Sequence, residues 1–150
     1  MTKIFLKTEI NGLKSIVFDL SRNIDVHKKS VRLTNETAID GVQSGLINYK
    51  ETVTWRGKHF GFYLTHKSRI TQMKLYDYFV DEMEEGKFNS FKHEHLFKEK
   101  NGVTLMEDII TYEVPFGFFG RLFDFFILKK HLINLIEERN KFLKEITEHL

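Results

Sequence analysis

The sequence predicts an α+β domain in which a curved antiparallel sheet of about six or seven strands closes over one long C-terminal helix. Three observations predict it. Several segments before position 115 alternate apolar and polar residues with a period of two, the residues after position 120 repeat at three, four and seven, and the only proline, Pro115, separates these patterns. The chain has 150 residues, of which 41% are hydrophobic, so we expect one core and a single domain spanning residues 1–150.

The N-terminal segment predicts one strand followed by two short helices. Residues 3–10 place Ile4, Leu6 and Ile10 on one side of a strand, and Asn11-Gly12 ends the alternation. Residues 13–20 have apolar side chains at helical spacing, and residues 23–29 predict a second helix.

The middle of the chain predicts a series of strands separated by turns. The candidate strands are residues 49–56, 60–66, 75–84, 90–98 and 103–114. Glu85-Gly86-Lys87 predicts a hairpin turn, and Lys100-Asn101-Gly102 predicts the next one. The last two segments have the longest unbroken alternations, so they are the most regular strands that the sequence predicts.

The corner from Pro115 to Gly120 ends the last strand and changes the period of the chain. From Arg121 to Leu150 the pattern predicts one amphipathic helix, which at about 30 residues would span roughly 45 Å and must lie across the sheet. The phenylalanines of the corner are expected to anchor this helix by burial, with an exposed contact patch as the alternative. They are Phe116, Phe118 and Phe119.

The composition limits where the protein is expected to work and what it is expected to bind. Cysteine is absent, which removes disulfides, thiolate nucleophiles and cysteine metal sites. The N-terminus has no apolar stretch of the signal-peptide type, and no run of about 18 apolar residues predicts a membrane span. We therefore expect a cytoplasmic protein without stable membrane insertion. The basic charges of the first half alternate with apolar residues like a solvated face, so nucleic acid binding is not expected.

A set of short motifs occurs in a fixed order along nearly the whole chain. They are His27-x-x-Ser30, Gly41-x-x-x-Gly45, Val53-Thr54-Trp55-Arg56-Gly57-Lys58-His59-Phe60-Gly61, Phe79-Val80-Asp81-Glu82-Met83, Gly86-Lys87-Phe88, Phe91-x-His93-x-His95-x-Phe97, Thr104-x-Met106-x-Asp108 and Pro115-Phe116-Gly117-x-x-Gly120. In order and spacing this set resembles the SRPBCC superfamily of START-like and birch-allergen-like proteins, in particular a bacterial ligand-binding branch often labelled cell-division protein. The chain departs from that pattern at Gln72–Leu75, where relatives usually carry a proline.

The resemblance implies the helix-grip fold, with a cavity between the concave sheet and the C-terminal helix. It does not imply a reaction, because the superfamily contains lipid carriers, cyclases, hydratases and proteins with no known chemistry. One sheet face and one helix that offer many aromatic side chains can enclose a pocket. We expect its apolar wall to include Trp55, Phe62, Phe79, Phe91, Met106, Ile110, Tyr112, Leu122 and Phe126.

Four ionisable residues are expected to share the concave face of the sheet. A hairpin at Gly86 brings Asp81 opposite His93, and the next hairpin brings His95 near Asp108. We favour a structural interpretation, in which the four are hydrogen-bonded to one another and fix the register of three strands. The alternatives are a general acid–base site, because a histidine beside an aspartate can titrate near neutral pH, and a metal site with nitrogen and oxygen ligands.

The predicted function is the binding of a hydrophobic small molecule, lipid-like, isoprenoid or polycyclic and aromatic, in this cavity. His93, His95 and Asp108 would orient the ligand, and the apolar wall would supply affinity. The alternative is a cyclase-like or hydratase-like enzyme whose acid–base residues are His93, His95, Asp81 and Asp108. We expect no cofactor and no bound metal, and we expect a monomer or a weak dimer.

Overall fold

Seven strands form one antiparallel sheet in a computed structural model of the chain, which describes residues 1–150. The spatial order is β1-β7-β6-β5-β4-β3-β2, so the N-terminal strand pairs with the last one. The strands are β1 (Thr2–Asn11), β2 (Thr37–Gly41), β3 (Thr52–His59), β4 (Phe62–Lys74), β5 (Tyr78–Glu85), β6 (Ser90–Lys100) and β7 (Val103–Glu113).

Two groups of helices complete the fold. The short helices α1 (Lys14–Ser21) and α2 (Ile24–Ser30) follow β1, as the sequence predicts, and a single 3-10 turn, Arg32–Thr34, leads on to β2. The chain ends with α3 (Gly117–Phe123), a π-helical turn (Asp124–Leu128) and α4 (Lys129–Glu148), which run on without a break. None of these helices combines the length and the apolar character that a membrane-spanning segment needs. The predicted α+β helix-grip architecture is confirmed.

The boundaries differ from the prediction where the alternation is weak. The sequence does not predict β2, because this edge strand is almost entirely exposed and therefore carries no apolar face. The predicted strand at 60–66 continues to Lys74 as β4, and the predicted strand at 75–84 begins only at Tyr78. A bulge between Ile70 and Gln72 breaks the period of two in β4, which hides its second half from a pattern analysis.

The continuous C-terminal helical segment Gly117–Glu148, which we call the rod, is not one regular helix. It begins at Gly117, four residues before the predicted Arg121, and the π-helical turn interrupts its regular period. Gly120 allows the early start, because a Cβ at this position would lie 1.8 Å from the carbonyl oxygen of Pro115. The corner therefore folds directly into the helix.

The core has two parts that leave a space between sheet and rod. In the larger part, Phe18 of α1 packs edge-on against Phe79 and Phe97 of the sheet, with ring centroids 5.3 and 5.2 Å away. The smaller part is built on Ile4, Ile110 and Tyr112, with side chains of α4 packed against it. The concave face between these two parts holds the candidate site.

Candidate ligand cavity

Two neighbouring cavities lie between the concave sheet and α4. The inner cavity has a volume of about 220 Å³ and the outer one of about 240 Å³. Each is more than ten times the space, roughly 10–15 Å³, that one ordered water needs. The two cavities share the lining residues Glu36, Trp55, His59, His66, Phe88 and Leu132.

A hydrogen-bonded network around Asp108 lies at the floor of the inner cavity. Its carboxylate accepts from His93 Nε2 at 2.7 Å, from Arg139 at 2.5 Å and from the amide of Asn140 at 2.8 Å. Asp108 is completely buried. Burial alone would raise the pKa of Asp108, but the charge of Arg139 and the hydrogen bond from His93 hold it far below its usual range. Asp108 is therefore ionised at neutral pH.

His95 occupies the centre of the same floor. Its ring is stacked between those of Phe79 and His93, with centroids 4.1 and 3.7 Å away, and its Nε2 donates to Asp81 Oδ2 at 2.7 Å. Burial, together with the neighbouring His93, lowers the pKa of His95 to about 4, so the imidazole is neutral at neutral pH. Its Nδ1 is buried without a hydrogen-bond partner, 3.6 Å from an oxygen of Asp108.

The predicted register of these strands is confirmed, because Asp81 pairs with His93 and His95 pairs with Asp108. The hydrogen bonds, however, connect the diagonal neighbours: His93 reaches Asp108 and His95 reaches Asp81. Three adjacent strands are thereby joined through side chains. The four groups are therefore hydrogen-bonded in two pairs, and the pairs meet where the rings of His93 and His95 stack with centroids 3.7 Å apart.

Sequence reasoning missed the two partners that α4 contributes. Arg139 and Asn140 are both buried and both bind Asp108. The signal was present in their spacing, since they lie three and four residues after Ile136 and before Leu143, on the apolar stripe of the helix. A charged or amide side chain on a buried stripe requires a buried partner.

Asp81, His93 and His95 are the group whose geometry comes nearest to a metal site, because their candidate ligand atoms lie within 4.8 Å of one another. Both Nε2 atoms already donate to carboxylates at 2.7 Å. A cation bound through these nitrogens would have to displace both hydrogen bonds. The geometry favours the hydrogen-bonded cluster.

Further histidines, which the sequence analysis did not assign to the site, line the two cavities. His59 of β3 and His131 of α4 share a hydrogen bond of 3.0 Å, and His27 pairs with Glu36 at 2.8 Å. His66 lines both cavities beside the ring of Phe91, 5.3 Å away between centroids. Burial lowers the pKa of His59, His66 and His131. These residues come from separate segments, so no local spacing connects them.

The predicted wall residues divide into three groups. Trp55, Phe79, Phe91, His93 and His95 line the inner cavity. Four others lie behind its surface, fully buried in the packing between sheet and helix: Met106, Asp108, Ile110 and Tyr112. The expectation for the remaining three is wrong, because they lie outside both cavities with exposed side chains: Phe62, Leu122 and Phe126.

The misplaced residues have simple structural causes. Phe62 is 72% exposed because it begins β4 just after the turn from β3. Leu122 lies near the end of α3 and Phe126 in the π-helical turn, and both side chains are exposed. The helix instead contributes Leu132, Leu135, Ile136 and Arg139 to the inner cavity.

Tyr112 anchors the π-helical turn to the sheet. Its hydroxyl donates to Asp124 at 2.5 Å, and Thr2 donates to the other oxygen of the same carboxylate. Burial and the hydrogen bond to Asp124 raise the pKa of Tyr112 well above its ordinary value. Asp124 was overlooked in the sequence analysis although it is the only acidic residue in an aromatic run.

The fold resembles solved structures that span nearly the whole chain. No protein-family model matches the sequence, and no curated protein matches it. A protein from Thermus thermophilus aligns over 96% of this chain and 95% of its own, with a TM-score of 0.75 and 16% identity. Ginseng major latex-like protein 151 from Panax ginseng covers 97% of each chain, with a TM-score of 0.70 and 15% identity. A START superfamily protein from Mycobacterium smegmatis covers 98% and 97%, with a TM-score of 0.72 and 10% identity.

At these identities the similarity defines the fold. The chain has the helix-grip fold of START-like and latex-like proteins, as the motifs of the sequence predict.

Proposed function

We propose that the protein binds a hydrophobic small molecule in the inner cavity, with its polar end toward His95 and Asp81. The observation that carries this proposal is the combination of an apolar wall and a fixed polar floor. Ligand pockets have this composition, in which apolar contacts supply affinity and a few placed polar groups fix orientation.

The unfilled volume itself supports the proposal. Atoms that line an empty apolar cavity lose contacts, which destabilises the fold in proportion to the volume left empty. A ligand that fills the inner cavity, about 220 Å³, restores those contacts. The binding free energy would become more favourable by about 25 cal/mol for each Å² of apolar surface that the ligand buries.

The charges around the cavity favour a neutral ligand. Arg139 is paired with Asp108, Arg22 with Asp19, and Glu36 with His27. A ligand carboxylate would therefore find no unpaired cation, and burying it would cost several kcal/mol. Among the predicted ligand classes, a neutral isoprenoid or polycyclic molecule with a hydroxyl or carbonyl end fits better than a fatty acid anion.

Acid–base catalysis by His93, His95, Asp81 and Asp108 is the second candidate function. The neutral imidazole of His95 favours it, because a base must be unprotonated to accept a proton. The hydrogen bonds within the cluster weigh against it, since the only free nitrogen of His95 is buried beside Asp108. A bell-shaped pH–rate profile that His95→Ala abolishes in a folded protein would establish catalysis.

A thermal-shift screen with a cavity-filling variant tests the binding proposal. Neutral isoprenoids and aromatic polyketides at about one hundred times their Kd should raise the Tm by roughly 5–10 °C. Leu132→Trp adds a large ring where the two cavities meet and should remove most of that shift. Leu13→Trp adds the same ring at an exposed site just before α1 and should leave it unchanged.

Two outcomes would contradict the proposal. One is that no apolar compound shifts the Tm and native mass spectrometry of the purified protein finds no bound small molecule. The other is that Leu132→Trp responds to a ligand as strongly as the natural chain does.

A further inference from the structure

The phenylalanines of the corner between Pro115 and Gly120, which we expected to be buried, are part of an exposed aromatic surface. Five phenylalanines between positions 116 and 126 are 60–83% exposed. We call this surface the aromatic rim; its members are Phe116, Phe118, Phe119, Phe123, Phe125, Phe126 and Ile127. An exposed apolar surface of this kind marks an interaction site in a monomeric protein.

The aromatic rim adjoins the outer cavity. Phe116 and Phe123 line that cavity, and so does Phe60 from the turn between β3 and β4. The rings of Phe60 and Phe123 meet edge-on with centroids 5.4 Å apart. The exposed surface and the cavity wall are therefore continuous.

Two of these phenylalanines occupy backbone positions that suit glycine. Phe60 has a φ of 52° and Phe116 a φ of 69°, which is the left-handed region. A bulky side chain there costs roughly 1–2 kcal/mol. Phe116 is exposed, so burial does not offset this cost there, whereas the ring of Phe60 packs on His131 with centroids 4.5 Å apart. The stability of the free chain therefore does not explain the aromatic residue at position 116.

Within residues 116–130 the charges that are not buried are positive. Arg121, Lys129 and Lys130 lie within or directly after the aromatic rim. The only acidic residue of the segment, Asp124, is buried and accepts hydrogen bonds from Tyr112 and Thr2. Cations beside exposed aromatic side chains are typical of surfaces that lie on anionic lipid.

We propose that the aromatic rim docks on the surface of a bilayer that contains anionic lipids, with its phenylalanines inserted about 5–10 Å into the interface. A symmetric contact with a second copy would place the cations of one rim against those of the other, whereas anionic headgroups complement them. This inference goes beyond the proposed function. Docking would place the outer cavity next to lipid, so that a hydrophobic ligand need not cross water.

Vesicle co-sedimentation tests the docking directly. The full chain is mixed with vesicles of phosphatidylcholine alone, or of phosphatidylcholine with phosphatidylglycerol as the minor component. We expect binding to the anionic vesicles that weakens with added salt, and little binding to phosphatidylcholine alone. Phe118→Ser/Phe119→Ser and Phe125→Ser/Phe126→Ser should each weaken binding by about tenfold or more, because each removes two inserted rings.

Matched controls separate the aromatic rim from the rest of the surface. Phe5→Ser removes an exposed phenylalanine from β1 and should leave binding unchanged. Lys129→Glu/Lys130→Glu should weaken binding to anionic vesicles, whereas the same charge change in Lys3→Glu/Lys7→Glu should have much less effect.

The proposal is overturned if the natural chain does not bind anionic vesicles at low salt, or if the serine variants bind as well as the natural chain. It is also overturned if light scattering finds a dimer that Phe118→Ser/Phe119→Ser converts into a monomer, since the rim would then bind a second copy. Vesicle binding is measured without any compound of the thermal-shift screen, so the two tests can fail separately. The serine variants should keep the Tm response to the compounds that stabilise the natural chain in the thermal-shift screen.

Discussion

The floor of the inner cavity and the aromatic rim invert the usual distribution of residues in opposite ways. The floor buries charged and polar groups, among them Asp108, Arg139 and His95. The aromatic rim exposes phenylalanines such as Phe119 and Phe125. Both arrangements cost free energy relative to an ordinary core and an ordinary surface.

The difference between the two regions is whether the chain itself offsets that cost. At the floor each buried charge has a partner, because Arg139 and His93 bind Asp108, and Asp81 binds His95. At the aromatic rim the phenylalanines pack mainly on one another, as Phe125 and Phe126 do at 5.0 Å between centroids. The folded chain therefore explains the floor, whereas it does not offset the exposure of the rim, which is why we propose a partner for the rim outside the chain.

The largest effect should come from breaking the buried charge pair. Asp108→Leu leaves Arg139 as an unpaired buried charge and should lower the free energy of unfolding by about 3–5 kcal/mol. Arg139→Met should also destabilise, but the double variant should be more stable than Asp108→Leu alone, because no charge is left unpaired. Urea unfolding measures all three.

The surface pair Lys98–Glu107 provides the control for this cycle. Its atoms are 3.5 Å apart and Lys98 is mostly exposed, so Glu107→Gln should change stability by less than about 1 kcal/mol. Strictly additive effects of Asp108→Leu and Arg139→Met would show that the floor is not one coupled network. If Asp108→Leu does not fold, comparing its expression with that of the double variant gives the same answer.

Low pH should lower the free energy of unfolding through His95. In the unfolded chain a histidine takes up its proton near pH 6.5, while burial keeps the pKa of His95 at about 4 in the folded one. Between these values only the unfolded state binds the proton, so stability falls as pH falls, by about 1.4 kcal/mol per pH unit and about 3 kcal/mol in total. His95→Gln should remove this share of the slope.

Comparing the pH dependence of stability in the natural chain and in His95→Gln separates the contribution of His95 from that of the other histidines. His59, His66 and His131 also have lowered pKa values, but they titrate in both proteins and their contributions cancel in the difference. His149→Gln, at an exposed position near the C-terminus, should keep the full slope. An unchanged slope in His95→Gln would mean that the pKa of this imidazole is the same in the folded and the unfolded state.

Sequence periodicity predicts the parts of the fold that are half-buried. β6 and β7 alternate without a break, so their register and the pairing of His95 with Asp108 could be predicted. β2 could not, because an exposed edge strand has no apolar face, and the bulge at Ile70 hides the end of β4. Both failures arise where a strand lacks a continuous buried side.

The site was less predictable than the fold because it is assembled from distant segments. His59 and His131 are 72 positions apart and meet only when α4 lies across β3. The π-helical turn changes the orientation of the residues before α4, so a regular helix wrongly places Leu122 and Phe126 in the cavity. Arg139 was predictable in principle, since its spacing puts it on the apolar stripe.

The hydrogen bond between His59 and His131, which both line the outer cavity, tests whether polar pairs there contribute as much to stability as those at the floor of the inner cavity. His131→Phe removes a hydrogen bond of 3.0 Å between two neutral rings, which should lower the free energy of unfolding by about 0.5–1.5 kcal/mol. Hydrogen exchange near Phe60 should become faster, because this hydrogen bond joins the end of β3 to α4. If His131→Phe lowered the free energy of unfolding by more than about 3 kcal/mol, the His59–His131 pair would belong to a coupled network like the one around Asp108.

The smallest effect on stability should come from the aromatic rim itself. Phe118→Ser/Phe125→Ser should change the free energy of unfolding by less than about 0.5 kcal/mol per site, because both rings are largely exposed in the free chain. Phe97→Ala, at a buried position of β6, should lower it by about 3–5 kcal/mol. A loss of more than about 2 kcal/mol in the serine variant would mean that the rim is packed against the protein and contributes to its core. A negligible loss of stability, together with weaker vesicle binding, would mean that these rings contribute to membrane docking and not to the stability of the fold.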